Sequence, residues 1–214
     1  MEKYHKIQTV FKRDGTSKNS VILGQYSIPE FEYLKDIHWE WAEKLNGINI
    51  RIQYEQEQEH ISFKGKTDNA DIHPKLLAEL NDFFTPFVCT KFRSMFKKES
   101  NICLYGEGIG PGVNKGSGLY GPGYEFVLFD VNIDGWWLQR KDVEDIAQKM
   151  GLQIAPLVGY GPLIQMVDTA YYGFNSQWGD FKAEGLVARP TTGLQTRGGD
   201  RIITKIKYKD FLRE

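Results

Sequence analysis

Cysteine is scarce in this chain: Cys89 and Cys103 are the only two in 214 residues. Both sit in apolar surroundings and neither has a C-x-x-C partner, so a disulfide scaffold and a cysteine-built zinc site are excluded. A reducing cytoplasm is the simplest compartment to expect, or a host cytoplasm if the source is viral. Histidine is nearly as rare. His5, His38, His60 and His73 show no H-x-H or H-x-x-x-H spacing, so none is expected to ligate a metal. Long apolar runs are missing. The N-terminal MEKYHKIQTVF has no core long enough for a signal peptide, and no stretch approaches a membrane span. There is no excess of either charge, with 27 Lys and Arg against 28 Asp and Glu. That excludes a generally cationic nucleic-acid coat but leaves room for a local basic groove. No linker, internal repeat or low-complexity tail divides the chain, and no G-K-[ST], G-x-S-x-G or Cys-His arrangement is present. What is present is 41% hydrophobic and 14% aromatic residues, enough for a sizeable core in one domain.

The periodicities place elements along the chain. Ile48, Ile50, Ile52 and Tyr54 alternate with Asn49, Arg51 and Gln53, the pattern of a half-buried strand. Residues His60 to Phe63 pair with it across the polar EQEQE turn as a hairpin. Leu76, Leu77, Leu80, Phe83 and Phe84 have helical spacing behind Pro74, and Val88, Phe92, Met95 and Phe96 repeat it behind Pro86. Ile102 to Tyr105 reads as a short strand, and Tyr124 to Val131 as a central one, apolar on both sides. Two more helices run through Val143–Met150 and Leu163–Tyr171, closed by Gly151 and Gly173. Leu186 to Ala188 and Ile202 to Ile206 are strands. The early hairpin and irregular spacing favour α+β with mainly antiparallel sheets over a parallel sheet.

Two features tempt and are set aside. Gly106 to Gly123 holds eight glycines and reads as a long loop, mobile or binding something. Within it Gly116–Gly121 satisfies G-x-G-x-x-G, but it precedes a strand instead of opening a helix, so it is not a dinucleotide motif. Lys91, Arg93, Lys97 and Lys98 form a basic run on the second helix, which reads as a solvated face unless nucleic acid is otherwise required.

The informative segment is Trp39 to Arg51, WEWAEKLNGINIR. A nucleophilic lysine needs its amine deprotonated, by burial or by cationic neighbours. Walls formed by Trp39 and Trp41 would supply burial to Lys44. Taken alone, an exposed lysine at an Asn-Gly hairpin turn explains the same residues. Four later features change that balance. Glu107 lies in LYGEG and can accept from ribose hydroxyls. Phe129 lies in LFDV and offers an aromatic face to a purine. Glu184 opens EGLVARP and can hold a metal's water shell or orient the lysine amine. Lys205 and Lys207 alternate in TKIK as two point charges for adjacent phosphates. Together they describe a nucleoside triphosphate site with a lysine nucleophile.

On these residues the sequence resembles the covalent nucleotidyltransferases, and most closely the ATP-dependent RNA ligases of viral and phage type. KLNG (Lys44–Gly47) stands where that superfamily has K-x-D-G or a variant, and Asn49 matches the asparagine that RNA ligases add. KTDNA (Lys66–Ala70), LYGEG, LFDV, EGLVARP and KIK follow in the family's order, over nearly the whole chain. The resemblance implies one adenylation domain over residues 1–214: twisted antiparallel sheets flanked by helices, with an ATP cleft between them. It implies ATP as substrate and Mg²⁺ or Mn²⁺ as cofactor. Lys44 then attacks the α-phosphorus and forms lysyl-AMP, AMP passes to an RNA 5′-phosphate, and a 3′-hydroxyl displaces it. Attack on phosphorus needs charge neutralisation and positioning more than proton transfer, which suits lysines and carboxylates. By position, backbone at Glu43 and Leu45 borders the adenine and Phe129 stacks on it. Asn49 and Lys66 lie near the ribose and α-phosphate, and Glu107 on the ribose. Lys205 and Lys207 hold phosphates, and Glu184 is the group linked to the metal.

Lys66 departs from the arginine usual in the family and cannot supply a bidentate fork. The sequence ends seven residues after Lys207, so no C-terminal OB-type domain is expected. That argues against the rival readings of a minimal DNA ligase or a GTP-using capping enzyme. It leaves RNA ends to the core or to an accessory RNA-binding or end-healing protein. A further rival is an idle nucleotide- or RNA-binding module. A monomer active in RNA repair, away from membranes, is the expected form.

Overall fold

The computed structural model describes residues 3–16, 20–55, 60–97 and 100–211. The chain opens with β1 (Gln8–Thr9), β2 (Phe11–Arg13), β3 (Val21–Tyr26), α1 (Pro29–Tyr33) and β4 (Trp39–Lys44). It continues with β5 (Ile48–Glu55), β6 (His60–Lys64), α2 (Pro74–Phe83), α3 (Pro86–Met95), β7 (Asn101–Ile109), β8 (Glu125–Ile133), β9 (Trp136–Trp137), α4 (Arg140–Met150) and β10 (Gln153–Ile154). It ends with β11 (Leu157–Gly161), α5 (Leu163–Tyr172), β12 (Gly185–Pro190) and β13 (Thr204–Lys207). Among the described residues no helix is long and apolar enough to cross a membrane. Two compact units result. One combines residues up to His5 with Asn46–Ala155; the other combines Lys6–Leu45 with Pro156 onward.

The first unit is a six-stranded sheet in the order β10-β8-β7-β5-β6, with β9 also paired to β8. Its β5, β6, β7, β8 and β9 pairings are antiparallel, and only β10 joins in parallel. The alternation in β5 turns Ile50, Ile52 and Tyr54 into a core with Leu104, Leu128, Leu76, Phe92 and Ile146. Pro74 and Pro86 sit in the first turns of α2 and α3, where a missing N–H costs nothing. Gly151 closes α4 in the left-handed conformation, φ 74°. Phe83, expected to face the core, is instead exposed; Phe84, the cap residue, takes the buried place. The polar turn expected at EQEQE falls largely on residues 56–59, and Lys98 of the basic run on residues 98–99, both outside the described residues.

The glycine-rich segment differs from expectation at its start. Residues 106–109 continue β7 instead of opening a loop. A Cβ on Gly106 would lie 2.3 Å from the Phe126 ring, so glycine here admits an aromatic side chain against the strand. Past Gly110 the chain does leave the sheet.

The second unit is a five-stranded sheet in the order β1-β13-β12-β4-β11, accompanied by the β2-β3 ribbon. All its pairings are antiparallel except β1 with β13. Trp39, Trp41, Leu186, Ala188 and Ile206 pack on Leu163, Met166 and Ala170 of α5. The chain is therefore α+β with mainly antiparallel sheets.

Candidate active site

In the second unit the register of three strands assembles a cluster. Gly185 on β12 pairs with Lys44 at the end of β4 on one side and with Lys207 at the end of β13 on the other. Glu184 immediately precedes it. Its carboxylate accepts from Lys44 Nζ at 2.5 Å and from Lys207 Nζ at 2.6 Å. Lys44 Nζ also donates to the Leu45 carbonyl at 3.2 Å. These side chains are mostly withdrawn from water: 20% exposed for Lys44, 14% for Glu184 and 22% for Lys207. Burial alone would raise the Glu184 carboxyl; the ammonium groups of Lys44 and Lys207 outweigh it and hold it below its ordinary value. Glu184 is thus a weak base that fixes two cations. Gly185 is required by close approach, since a Cβ there would lie 2.2 Å from the Ile206 carbonyl oxygen.

Alternation along β4 corrects one expectation. Trp39 and Trp41 point with Glu43 to the core face, while Glu40, Ala42 and Lys44 take the opposite face. The tryptophans therefore do not wall Lys44; its environment is the Glu184–Lys207 pair. Lys205 stands on the same strand face as Lys207, two residues back. Leu45 is buried, 4% exposed. Glu43 is buried too, with Oε2 accepting from the Gln177 N–H and Oε1 unpartnered. Burial raises its carboxyl, against the donors at Ser176 and Gln177.

In the first unit three of the remaining candidates, Asn49, Glu107 and Phe129, share the sheet face opposite the helices. Asn49 on β5 stands directly across from Glu107 on β7. Asn49 Oδ1 is buried and unpartnered. Glu107 Oε1 accepts from the Gly47 N–H at 3.0 Å. Phe129 lies at a β-bulge: Leu128 pairs with Gly106 and Asp130 with Tyr105, leaving Phe129 as the extra residue. Its ring meets Tyr4 edge-on, with centroids 5.1 Å apart, and the Tyr4 hydroxyl donates to Asp130 Oδ2 at 2.8 Å. Lys66 is exposed in the turn after β6.

Periodicity did not disclose several supporting residues. Arg51, assigned to a solvated strand face, is fully buried. Its Nε donates to the Gly65 carbonyl at 2.8 Å and its guanidinium pairs with Asp68 at 2.9 Å, holding the turn that carries Lys66. That hydrogen bond also keeps the Asp68 carboxyl below its ordinary value. The glycine-rich loop clamps the turn after Lys44. The Tyr120 hydroxyl accepts from the Asn46 N–H at 2.8 Å, the Asn46 amide donates to the Lys115 carbonyl at 2.7 Å, and Asn114 Nδ2 reaches the Gly47 carbonyl at 3.1 Å. Gly47 itself is needed because a Cβ there would lie 2.1 Å from the Gly108 carbonyl oxygen. Of the basic run, Lys91 lies over the Phe87 ring at 6.0 Å, and Arg93 and Lys97 are exposed.

Among the described residues no three His, Cys, Asp or Glu side chains converge as a metal cage. Glu184 is the single carboxylate paired to both lysines of the cluster. A lone carboxylate suits a hard cation that brings phosphate oxygens as its other ligands, and does not suit an all-protein site.

Comparisons with known proteins identify the family and the fold. The sequence profile of the RNA ligase family matches residues 37–208. No curated protein sequence matches the chain. Among solved structures, Naegleria gruberi RNA ligase in a variant apo form superposes with a TM-score of 0.69 at 18% identity, over 99% of this chain and 56% of that one. The same enzyme with PPi gives 0.68 at 18% identity, over 97% and 56%. A variant with ATP and Mn gives 0.67 at 18% identity, over 97% and 56%. The chain spans little more than half the length of that protein, and the likeness is one of fold. With the profile covering most of its length, the chain belongs to the RNA ligase family.

Proposed function

We propose that this chain is an ATP-dependent RNA ligase that joins 3′-hydroxyl and 5′-phosphate ends through a lysyl-AMP intermediate. The observation that carries the reading is the Lys44–Glu184–Lys207 cluster, built by the register of β4, β12 and β13. In the first step the Lys44 ammonium releases a proton to solvent and the neutral amine attacks the α-phosphorus of ATP, a second N–H proton leaving with the pyrophosphate. An N–P bond forms, the bond to the β-phosphate oxygen breaks and pyrophosphate departs. In the second step an RNA 5′-phosphate oxygen takes the AMP from Lys44, which regains its amine. In the third a 3′-hydroxyl attacks the activated 5′-phosphorus and expels AMP.

Glu184, held ionised by two ammonium groups, fixes the position of Lys44 before attack and does not take its proton. Lys207 and Lys205 supply charge to the phosphates, where preorganised cations lower the barrier without reorganising. Glu107 and Asn49 are proposed for the ribose side; the unpartnered Asn49 oxygen is a ready acceptor for a hydroxyl. Phe129 is proposed to stack on the adenine, with Leu45 and Glu43 bordering it. Lys66 is proposed as a point charge near the α-phosphate. Magnesium, when bound, neutralises phosphate charge, and Glu184 is the carboxylate proposed to hold its water shell. The Naegleria gruberi enzyme with ATP and Mn supports nucleotide and metal by family likeness.

The test is the intact mass of purified protein after incubation with ATP and Mg²⁺. An added mass of about 329 Da, removed by excess pyrophosphate, is expected for a lysyl-AMP adduct. Protein shown to be folded and free of prior adduct that gains no mass would overturn the reading.

A further inference from the structure

The second unit carries a groove of about 980 Å³, of which the adenylation chemistry above uses only Lys205 and Lys207. It is lined by Lys6 ahead of β1, Lys12 and Arg13 of β2, Lys205 and Lys207 of β13, and Lys209 just beyond. Against these six cations stands one lining carboxylate, Asp210, which is already paired to Arg13 at 2.9 Å. The chain as a whole has 28 acidic and 27 basic residues, so this wall departs from the even mixing found elsewhere. Lys6, Lys12 and Lys209 are exposed and make no ion pair among the described residues.

Two facts select the occupant. Lys207 belongs to both sites: it lines the groove and its Nζ bonds Glu184, the carboxylate that also holds Lys44. The groove therefore starts at the cluster that carries the nucleophile and leads away from it along β13 and β1. In addition, the lining offers no aromatic platform. Phe11 is its one aromatic residue, and it is 3% exposed. A channel that reads bases by stacking needs open ring faces. This one presents ammonium and guanidinium groups, which read phosphate oxygens.

Resting on the ligase reading, we infer that this groove holds the phosphodiester backbone of the RNA strand whose end reacts at Lys44, without regard to base sequence. The shared chemistry is a row of phosphate oxyanions; the other source of such oxyanions is the triphosphate tail of ATP. The volume of the groove, about 980 Å³, and its six cations contributed by β2, β13 and the segments beside β1 and β13 favour a strand over a compact tail.

The experiment uses the full chain with Lys6, Lys12 and Lys209 replaced together by alanine, and a second variant with the same three replaced by arginine. None of these residues belongs to the adenylation machinery. Binding of a fluorescent 5′-phosphorylated RNA oligonucleotide is followed against KCl concentration, and lysyl-AMP formation is followed against ATP concentration. The alanine variant should bind RNA about tenfold more weakly at moderate salt, with the log–log salt slope smaller by about 2, as three lost phosphate contacts require. The arginine variant should bind like the wild type. The KM for ATP and the adenylation rate should stay within about twofold in both, and uridine-rich and adenosine-rich RNAs should bind alike. Unchanged RNA affinity and salt slope in the folded alanine variant would overturn the inference. A raised KM for ATP with RNA binding intact would overturn it in favour of the triphosphate tail. If the wild type binds RNA through these lysines but never forms lysyl-AMP, the groove stands and the ligase mechanism falls.

Discussion

Replacing Glu184 by glutamine keeps the shape of the side chain and removes its charge. Two ammonium groups, Lys44 and Lys207, then face a neutral amide from 2.5 and 2.6 Å. At an effective permittivity near 20 a unit pair about 4 Å apart attracts by about 4 kcal/mol, and the closer contacts here are stronger. Much of that attraction offsets the cost of withdrawing three charges from water, so the net value of the cluster is modest. Its disruption is not, because two cations remain withdrawn and unneutralised. At 14–22% exposure some hydration remains. The expected loss is about 3 kcal/mol at neutral pH, the lower end for breaking a buried pair. Lys44→Met alone should cost less, and the double variant should recover part of the loss, giving a coupling of about 1–3 kcal/mol. The dependence on pH has a defined sign. The folded state holds the Glu184 carboxyl below 4.5. Its contribution is therefore complete at neutral pH and is lost as pH falls from 4.5 through the folded value. Urea denaturation of the four proteins at pH 7, repeated near pH 3 if they remain folded, measures both effects through the midpoint at constant slope. A coupling under about 0.5 kcal/mol at pH 7, or a gap that does not shrink in acid, would refute the reasoning.

Three further outcomes are expected. Gly185→Ala should drive a Cβ against the Ile206 carbonyl and the Lys207 Cα, at 2.2 and 2.6 Å; a loss of about 2 kcal/mol or more in urea denaturation, with slower adduct formation, would show β12 and β13 forced apart. Glu43→Gln should stabilise the chain at pH 7, because burial raises the Glu43 carboxyl and the folded state pays to ionise it as pH rises above 4.5; melting curves at pH 7 and pH 4 should differ from wild type only at the higher pH. Tyr120→Phe leaves the Asn46 N–H without its acceptor; a slower adenylation rate at unchanged melting temperature is expected, and an unchanged rate would show that the loop does not position the lysine turn.

Much of the fold is written in local pattern. Period-2 apolar residues marked β5, a run apolar on both sides marked β8, prolines and glycines bounded the helices, and the ordered motifs marked Lys44, Glu184 and Lys207, which the register of three strands then brings together. What escaped was whatever depends on long-range packing. Alternation assigns Arg51 to the face opposite the core, yet it is fully buried and bonds to Gly65 and Asp68 of the turn after β6. The bulge at Phe129 arises from a register shift against β7 that no property of LFDV announces. Gly106 reads as loop because its reason for being glycine is the Phe126 ring, twenty residues away. The tryptophans of WEWAEK suggested walls around Lys44, although the same alternation that makes the segment a strand sends them to the other face.

The central claim is that Lys44 carries AMP. Label transfer from α-³²P-ATP to the protein with Mg²⁺, wild type beside Lys44→Ala and with α-³²P-GTP in parallel, tests it most directly. The account predicts label from ATP on the wild type alone. Equal labelling of a folded Lys44→Ala protein, or label from GTP instead of ATP, would contradict it.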